Sequence, residues 1–362
     1  MTQINRRSIL GASAAFGGLT ALGVGASAAM LSNNAPGDDL PTGAWTPLQN
    51  MPFPVQEIYP TAFRKAETTS NGFKPAPMNI LVNAGGLTPD EGYNVTDAVT
   101  FYDPAYDQWG FGTSLPEPRH HISLVANNGY LYGIGGFARN ENGGWQMRGN
   151  CWRTGSLSEQ WSDMQPMPHP QAESICQPIG PNIHVVGGRA PAGSSNRDWA
   201  DHIDTDQHWL YDDASDKWFK RAPLPTPRNS SAGAVFNGAL YVIGGRTVAG
   251  GNTSAVEVYD PLSDRWERAR PMPKAQGGLA AAVLNRKIYV FGGEYFSPAG
   301  GGVFAEAWEY DPIADRWRAV AAMPRPRHGL GAVTLGNNIY VVGGAAKAGG
   351  AETSAALDRF EI

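Results

Sequence analysis

The sequence has 362 residues, of which 17% are charged and 42% hydrophobic, and it carries 45 glycines and 28 prolines. This composition is typical of a folded chain that buries a large core between many turns. The formal net charge is -5, and the first 28 residues contain two arginines and no acidic residue, so the remaining chain carries -7. A net acidic chain argues against a basic nucleic-acid surface.

The N-terminus resembles a twin-arginine export signal. Arg6-Arg7 precedes Ser8-Ile9-Leu10 and a weakly apolar run rich in Gly and Ala, and small residues around Ala28 offer a cleavage site. The resemblance implies that residues 1–28 are a signal peptide, residues 29–43 a flexible linker, and the mature chain a periplasmic protein without a membrane span. The alternative is an uncleaved membrane anchor, but a run this rich in Gly and Ala spans a bilayer poorly.

Six double glycines recur along the chain at intervals of 50, 52, 57, 48 and 51 residues. They are Gly85-Gly86, Gly135-Gly136, Gly187-Gly188, Gly244-Gly245, Gly292-Gly293 and Gly343-Gly344. Five tryptophans recur at the same intervals as the last five glycine pairs, and they are Trp109, Trp161, Trp218, Trp266 and Trp317. Two residue types locked at one spacing indicate a unit of about 50 residues repeated six times. We interpret both as structural, because glycine permits close strand approach and tryptophan fills the space between units.

Each unit contains four short predicted strands. In the sixth unit, residues 330–335 and 339–342 form the first two strands around a turn, and in the fourth unit residues 255–259 form the third strand before an Asp-Pro turn. The strings IYVVGG, EVYDPLSDRW and EYDPIADRW resemble kelch repeats, and the resemblance covers nearly all of residues 44–362. It implies an all-β fold, a six-bladed kelch β-propeller.

The last unit ends after its third strand, at Phe360-Glu361-Ile362, with no tryptophan strand following. The missing piece lies at the N-terminal side, where Trp45 and Met51-Pro52 match Trp317 and Met323-Pro324. We therefore expect the N-terminal strand to complete the sixth blade. Such closure covers the sheet edge that the third strand of the last blade would otherwise expose.

Polar side chains recur at the start of each blade's first strand. Three residues after the proline that ends the tryptophan strand stand Val55, Arg119, Gln171, Arg228, Gln276 and Arg327. The next residues in blades two to six are His120, Ala172, Asn229, Gly277 and His328, followed by His121, Glu173, Ser230, Gly278 and Gly329, whereas Gln56 and Glu57 follow Val55. Directly after the double glycines stand Leu87, Phe137, Arg189, Arg246, Glu294 and Ala345. Because strands alternate in direction, all of these lie near one mouth of the channel.

This convergence predicts a polar pocket for a small anionic or sugar-acid ligand, since Arg presents a planar fork to carboxylates and hydroxyl pairs. The predicted ligand-binding residues are Arg119, Gln171, Arg228, Gln276, Arg327, Arg189, Arg246 and Asn229. The alternative is that these arginines pair with acids and backbone carbonyls of neighbouring loops. If Arg327 binds ligand, Arg327→Ala weakens anion binding with little loss of stability.

The longest connection, Arg189 to Trp209 in blade three, contains NRDWADHIDTDQHW and is predicted to be a binding loop over the mouth. A solvated acidic loop is the alternative. A metal held by Asp204, Asp206 and His208 is disfavoured because a strand sends neighbouring side chains to opposite faces, so we predict no metal and no cofactor. Aromatic residues Trp145, Tyr295 and Phe296 either stack on a sugar or pack between blades. Cys151 and Cys176 either form a disulfide or remain buried thiols.

Exported kelch propellers of this size resemble sialic acid mutarotases, which interconvert the anomers of a sugar acid. The resemblance implies an isomerase that needs a general acid and a general base, for which the candidates are Glu173, Glu294, His120 and His328. No family catalytic motif is matched residue by residue. One alternative is a non-catalytic module that holds an exported protein partner. Another is a copper-radical oxidase of the galactose oxidase type, which requires seven blades and a Cys crosslinked to a Tyr.

Overall fold

Six four-stranded antiparallel sheets make up the computed structural model, which describes residues 42–64, 79–90 and 92–362. The innermost strands of successive sheets contact one another in ring order, so the all-β six-bladed propeller is confirmed. The predicted signal peptide and all but the last two residues of the predicted linker lie outside the described residues. Within the described part of the chain, no helix is long and apolar enough to cross a membrane.

The strands follow the repeat in chain order. Strand β1 spans Ala44–Pro47. Blade one contains β2 (Thr61–Arg64), β3 (Asn79–Ala84), β4 (Leu87–Thr88), β5 (Asn94–Val95), β6 (Val99–Asp103) and β7 (Gln108–Gly112). Blade two contains β8 (Ser123–Asn127), β9 (Tyr130–Ile134), β10 (Phe137–Arg139), β11 (Trp145–Met147), β12 (Cys151–Thr154) and β13 (Ser162–Asp163). Blade three contains β14 (Ile175–Ile179), β15 (Asn182–Val186), β16 (Arg189–Pro191), β17 (His202–Asp204), β18 (His208–Asp212) and β19 (Lys217–Lys220).

The remaining blades have the same plan. Blade four contains β20 (Ala232–Phe236), β21 (Ala239–Ile243), β22 (Val256–Asp260) and β23 (Arg265–Arg268). Blade five contains β24 (Ala280–Leu284), β25 (Lys287–Phe291), β26 (Glu294–Ser297), β27 (Gly300–Val303), β28 (Ala307–Asp311) and β29 (Arg316–Val320). Blade six contains β30 (Gly331–Leu335), β31 (Asn338–Val342) and β32 (Leu357–Glu361). The pairs β4–β5, β10–β11, β16–β17 and β26–β27 are small hairpins between the second and third strands of their blades.

The N-terminal strand completes the sixth blade, as the repeat pattern predicts. Strand β1 pairs antiparallel with β32, with Trp45 opposite Phe360. The Trp45 ring lies 5.5 Å from Phe291 of blade five and 4.9 Å from Phe360. Its indole Nε1 donates a hydrogen bond to the carbonyl of Ala321 at 2.9 Å. The first and last described strands therefore form one continuous sheet.

The repeated tryptophans and glycines join neighbouring blades. The indole N–H of Trp109, Trp161, Trp218, Trp266 and Trp317 donates to a backbone carbonyl in the segment that leaves the preceding blade's outer strand. All twelve glycines of the six pairs have positive φ. A Cβ on Gly85 would lie 2.1 Å from the carbonyl oxygen of Arg119 in the next blade, closer than any side chain tolerates. The glycines thus permit close blade contact, and their structural interpretation is correct.

Candidate functional site

Polar residues at the start of five first strands are buried inside the blades. Arg119, Gln171, Arg228, Gln276 and Arg327 are each at most 1% exposed. Each donates from its side chain to the carbonyl of the first glycine in its own blade's pair, at 2.6 to 2.9 Å. None of the five lines the cavity at the channel mouth. The structure therefore assigns them to holding the strand start, and the prediction that they contact a ligand has to be revised.

The three buried arginines also have acidic partners within their own blades. Arg228 Nη1 lies 2.5 Å from Glu257 Oε2, and Arg327 Nη1 lies 3.0 Å from Asp358 Oδ2. Arg119 Nη2 lies 2.6 Å from Glu117 Oε2. Burial lowers the pKa of Arg119 to about 10, although Glu117 opposes the shift. These charges are compensated locally, so they do not make the mouth cationic.

At each strand start, the two positions after the buried Arg, Gln or Val lie at the channel mouth, next to the residues that follow the double glycines. The second position forms a β-bridge with the residue after the double glycine in every blade, and the pairs are Gln56–Leu87, His120–Phe137, Ala172–Arg189, Asn229–Arg246, Gly277–Glu294 and His328–Ala345. The third position has positive φ throughout, at Glu57, His121, Glu173, Ser230, Gly278 and Gly329. Backbone hydrogen bonds join Ser230, Gly278, Gly329, Glu57 and His121 around the axis.

A cavity of about 770 Å³ occupies this mouth. Six predicted site residues line it, and they are His120, Glu173, Arg189, Arg246, Glu294 and His328. Asn229 is fully buried behind it, where its Oδ1 lies 3.4 Å from Arg246 Nε. Glu57 and His121 also line the cavity but were not among the predicted site residues, although the same register that gave Glu173 would have selected them. Tyr93 and Asn252 line it too, and no spacing in the repeat pointed to them.

Both cavity arginines are paired with carboxylates. Arg189 Nε lies 3.0 Å from Glu173 Oε1, and Glu173 Oε2 also accepts a hydrogen bond from the Ser230 hydroxyl. Arg246 Nη1 contacts Glu294 Oε1. The other oxygen of this carboxylate, Glu294 Oε2, accepts a hydrogen bond from the backbone N–H of Gly349 at 2.8 Å. Among the described residues, the cavity lining therefore carries two guanidinium groups against three carboxylates, so the arginines give the mouth no excess of positive charge.

The third carboxylate, Glu57, lies between two histidines. Its Oε2 is 2.8 Å from His121 Nε2, and its Oε1 is 3.8 Å from His328 Nδ1. Burial alone would raise the pKa of Glu57, but His121, His328 and Arg246 together hold it well below its usual range. Burial acts likewise on Glu173, and there Arg189 is the main group that lowers the pKa. Both groups are consequently carboxylates at neutral pH, which removes Glu173 as a general acid.

His120 and Tyr59 remain neutral because burial disfavours their charged forms. Burial lowers the pKa of His120 well below its usual range, and His121 lowers it further. Burial raises the pKa of Tyr59 well above its usual range, with Glu173 and Glu57 adding to the effect. Tyr59 lies in the channel beneath the mouth, 5.9 Å from the His121 ring. The site thus combines fixed anions with neutral imidazole and phenol groups.

Five aromatic side chains from blades one, two, three and five line the cavity, and they are Tyr93, Trp145, Trp199, Tyr295 and Phe296. Trp199 belongs to a short 3-10 turn, Trp199–Asp201, that is capped by Asp198 in the predicted blade-three loop. The Arg189 guanidinium lies 4.5 Å above the Trp199 ring, and Arg139 lies 4.3 Å above Trp145. Trp199 is 38% exposed and Phe296 63% exposed. The Trp199 and Phe296 side chains are therefore partly accessible to a ligand.

The other parts of the blade-three loop do not gather into a metal site. Asp204 accepts hydrogen bonds from Asn229 and from the backbone of Val248, whereas His208 is buried in the blade against His184. In residues 42–64, 79–90 and 92–362, no group of three or more His, Cys, Asp or Glu side chains is arranged to hold a metal ion. Cys151 and Cys176 are both buried free thiols, and burial raises the pKa of Cys151 to about 12. Their place in a blade core, away from the mouth, and the six blades argue against the copper-radical alternative.

The family follows from comparison with known proteins. Residues 175–358, about half of the chain, match the KLHDC2/KLHL20/DRC7 Kelch-repeats domain. The chain belongs to the kelch-repeat family. This kelch propeller is 27% identical to Kelch-like protein terF of Aspergillus terreus over 271 residues, which are 72% of this chain and 57% of that protein. It is 35% identical to Kelch-like protein 35 of Mus musculus over 300 residues, which are 83% of this chain and 37% of that protein.

The chain spans 57% of the length of Kelch-like protein terF and 37% of the length of Kelch-like protein 35. The functions of these whole proteins therefore do not transfer directly to this chain. A solved structure described as "Structure of YjhT" superposes on this kelch propeller with a TM-score of 0.68. The two are 16% identical, and the match covers 86% of this chain and 96% of that chain. At this identity the likeness establishes a common fold. Function has to be argued from the cavity.

Proposed function

We propose that this kelch propeller binds a small sugar in the mouth cavity and interconverts its anomers. The observation that carries the proposal is the combination of exposed aromatic faces with buried ion pairs in one cavity of about 770 Å³, a size suited to a small molecule. Aromatic faces such as Trp199 suit the apolar face of a sugar ring. The Glu173–Arg189 and Glu294–Arg246 pairs suit its hydroxyl groups, since they offer acceptors and donors side by side.

The charge balance favours recognition through hydroxyl groups over recognition of a carboxylate. Each cavity arginine already has a glutamate partner, and Glu57 adds a further negative charge. A sugar acid would bring another anion into this lining. Donors of Arg189 nevertheless remain open, because its terminal nitrogens make no hydrogen bond to the described residues. We therefore place neutral sugars and sugar acids in the same test and expect the neutral sugars to bind more tightly.

The test is a set of thermal shifts with galactose, glucose, N-acetylglucosamine, galacturonic acid and N-acetylneuraminic acid, followed by anomer exchange measured by NMR. We expect one of these sugars to raise the melting temperature and to exchange its anomers faster with protein present. Phe296→Ala should reduce the shift, whereas Phe111→Ala should not. Phe111 is the matched control, since it is also 63% exposed but lies on outer strand β7. A sugar that binds without faster exchange would reject the catalytic half of the proposal.

A protein partner is the second candidate function, and the exposed apolar rim favours it. Trp199, Val248, Tyr295 and Phe296 line the cavity and are each at least 38% exposed, enough to hold side chains of a peptide. No thermal shift with any sugar, together with co-purification of one defined protein that is lost in Phe296→Ala, would support this candidate and reject the sugar.

We also propose export to the periplasm, on the strength of Arg6-Arg7 and the Gly/Ala-rich run that follows. Replacing both arginines by lysine should retain the protein in the cytoplasm of a bacterial host. Equal amounts in the periplasm for the wild-type chain and this variant would contradict the proposal.

A further inference from the structure

His120 and His121 face each other although they are neighbours in sequence. Adjacent residues of an extended strand point to opposite faces, but His121 has φ of 51°, which turns the chain at this point. As a result, the two Nδ1 atoms lie 2.7 Å apart. His121 Nε2 lies 2.8 Å from Glu57 Oε2 on its other side. The three side chains form a continuous row, which we call the His120–His121–Glu57 relay.

The distances determine where the protons are. Two ring nitrogens 2.7 Å apart share one proton, and the carboxylate oxygen 2.8 Å from His121 Nε2 favours a proton on that nitrogen, although the two groups are not aligned as a hydrogen bond. When His121 is neutral, its Nδ1 is therefore bare and accepts the Nδ1 proton of His120. His120 then has a lone pair on Nε2. When His121 is protonated on both nitrogens, His120 Nδ1 accepts instead, and His120 Nε2 carries the proton.

His120 Nε2 is a buried atom with no hydrogen-bond partner among the described residues. Its ring lines the cavity, where Phe137 lies 5.0 Å away in a stacked arrangement and Trp145 lies 4.4 Å away edge-on. A buried nitrogen without a partner is costly unless a ligand completes it. Because burial disfavours a charge on His120, a proton taken up by Nε2 is passed to His121, beside the Glu57 carboxylate.

We propose that His120 Nε2 accepts the proton of the anomeric hydroxyl of the bound sugar, and that His121 and Glu57 stabilise the resulting charge. This inference rests on the proposed function. The sugar O–H bond breaks as the Nε2–H bond forms, and the Nδ1 proton of His120 moves to His121. The oxygen electron pair becomes the carbonyl bond while the ring C–O bond breaks, and the ring oxygen takes a proton from water. The open chain then rotates about the bond to the carbonyl carbon, and the ring closes on the other face by the reverse of these steps, which return the relay's proton to the anomeric oxygen and the ring oxygen's proton to the hydroxide. His120 is the catalytic residue, and His121 and Glu57 are positioning residues.

The exchange rate should rise with pH, since His120 Nε2 is free to accept a proton only while the relay as a whole carries no additional proton. Other charged or titratable groups also face this row and contribute to its field. They are Tyr59, Arg139, Glu173, Arg246 and His328.

The experiment compares His120→Gln, His121→Gln and His184→Gln with the wild-type protein. We expect His120→Gln to lower the exchange rate about 100-fold, typical of losing a general base, while the sugar dissociation constant changes less than about threefold. His121→Gln should flatten the dependence of the rate on pH. His184→Gln should leave the rate unchanged. His184 is the matched control, because it is a buried histidine that also contacts a second histidine, with its Nδ1 2.8 Å from His208 Nε2, but it does not line the cavity.

A second measurement reads the relay without any sugar. In the free protein at pH 8, the ¹⁵N chemical shifts of the imidazoles should reveal a proton on His120 Nδ1 and none on His120 Nε2. A proton on His120 Nε2 under these conditions would overturn the inference. So would wild-type exchange in His120→Gln while sugar binding is kept. If no sugar of the panel binds, the proposed function itself fails, and the proton acceptor role fails with it.

Discussion

Arg327 is held by four acceptors inside blade six. Its side chain donates to the carbonyls of Gly343, Arg325 and Val341 and to the Asp358 carboxylate, and it is 1% exposed. We now expect Arg327→Ala to lower the free energy of unfolding by about 3 kcal/mol, because a buried charge loses a partner and buried carbonyls lose donors. Sugar affinity should be unchanged. Denaturant unfolding and the thermal-shift assay measure the two effects.

Arg325→Ala is the control for this prediction. Arg325 pairs with the same carboxylate at 2.6 Å, but its side chain is 38% exposed, so we expect a loss of about 1 kcal/mol or less. Wild-type stability in Arg327→Ala together with weaker sugar binding would restore the original interpretation of Arg327 as a ligand anchor.

Two glycines at the mouth separate backbone strain from an effect on the site. Both Gly278 and Gly329 have positive φ, so an alanine at either costs about 1–2 kcal/mol of strain. A Cβ on Gly329 would lie 2.8 to 2.9 Å from the Glu57 carboxyl atoms, whereas a Cβ on Gly278 meets His328 only at 3.6 Å. The carboxyl group is the end of a flexible side chain and can rotate away from the added Cβ, so Gly329→Ala should move Glu57 away from His121.

The two alanine variants should therefore have similar stability and different activity. We expect about tenfold slower anomer exchange in Gly329→Ala and less than about a threefold change in Gly278→Ala, measured by NMR. Equal rates in the two variants would mean that the position of Glu57 does not matter to the reaction.

At the scale of single elements, β15 and β18 share a buried histidine pair. His184 Nδ1 lies 2.8 Å from His208 Nε2, and His208 Nδ1 lies 3.1 Å from the carbonyl oxygen of Ala222. Burial lowers the pKa of His184 to about 4 and that of His208 to about 3, with Arg221 and the neighbouring histidine adding to the effect. The unfolded chain, with histidine pKa near 6.5, thus binds more protons than the folded chain between about pH 3 and 6.5.

The stability contributed by this pair is complete above about pH 6.5 and declines as the pH falls toward the folded pKa values. Each histidine adds at most about 1.4 kcal/mol per pH unit to the slope of the unfolding free energy. His208→Phe should reduce that slope in urea titrations between pH 4.5 and 6.5. His169→Gln, at an exposed position, should leave it unchanged. An unaltered slope in His208→Phe would show that the pair is protonated in the folded protein.

For the whole molecule, ring closure depends on β1. A chain that starts at Val55 loses the β1–β32 pairing and the contacts of Trp45 with Phe291 and Phe360. We expect its melting temperature to fall by about 10 °C or more, because a sheet edge and part of the core become exposed. A chain that starts at Pro41 keeps β1 and should melt like the full-length protein. Similar melting of both chains would contradict closure through β1.

The fold, and the meeting of the strand-start residues at one channel mouth, were predictable from the sequence because every blade of a propeller repeats the same register. The spacing from the proline that ends each tryptophan strand located the three positions at every strand start, including Val55, Gln56 and Glu57 in blade one. Side-chain direction was not predictable in this way. The acids that draw Arg228 and Arg327 into the blades, Glu257 and Asp358, lie about thirty residues further along the chain on third strands. Only the folded sheet brings them together.

The most direct test of the central claim is a crystal structure of the protein with the panel sugar that gives the largest thermal shift. The account predicts a sugar ring in the mouth cavity against Trp145 or Trp199, with hydroxyl groups within hydrogen-bond distance of Arg189 and Arg246 and the anomeric hydroxyl next to His120. A sugar bound elsewhere on the propeller, with the mouth cavity empty, would contradict it.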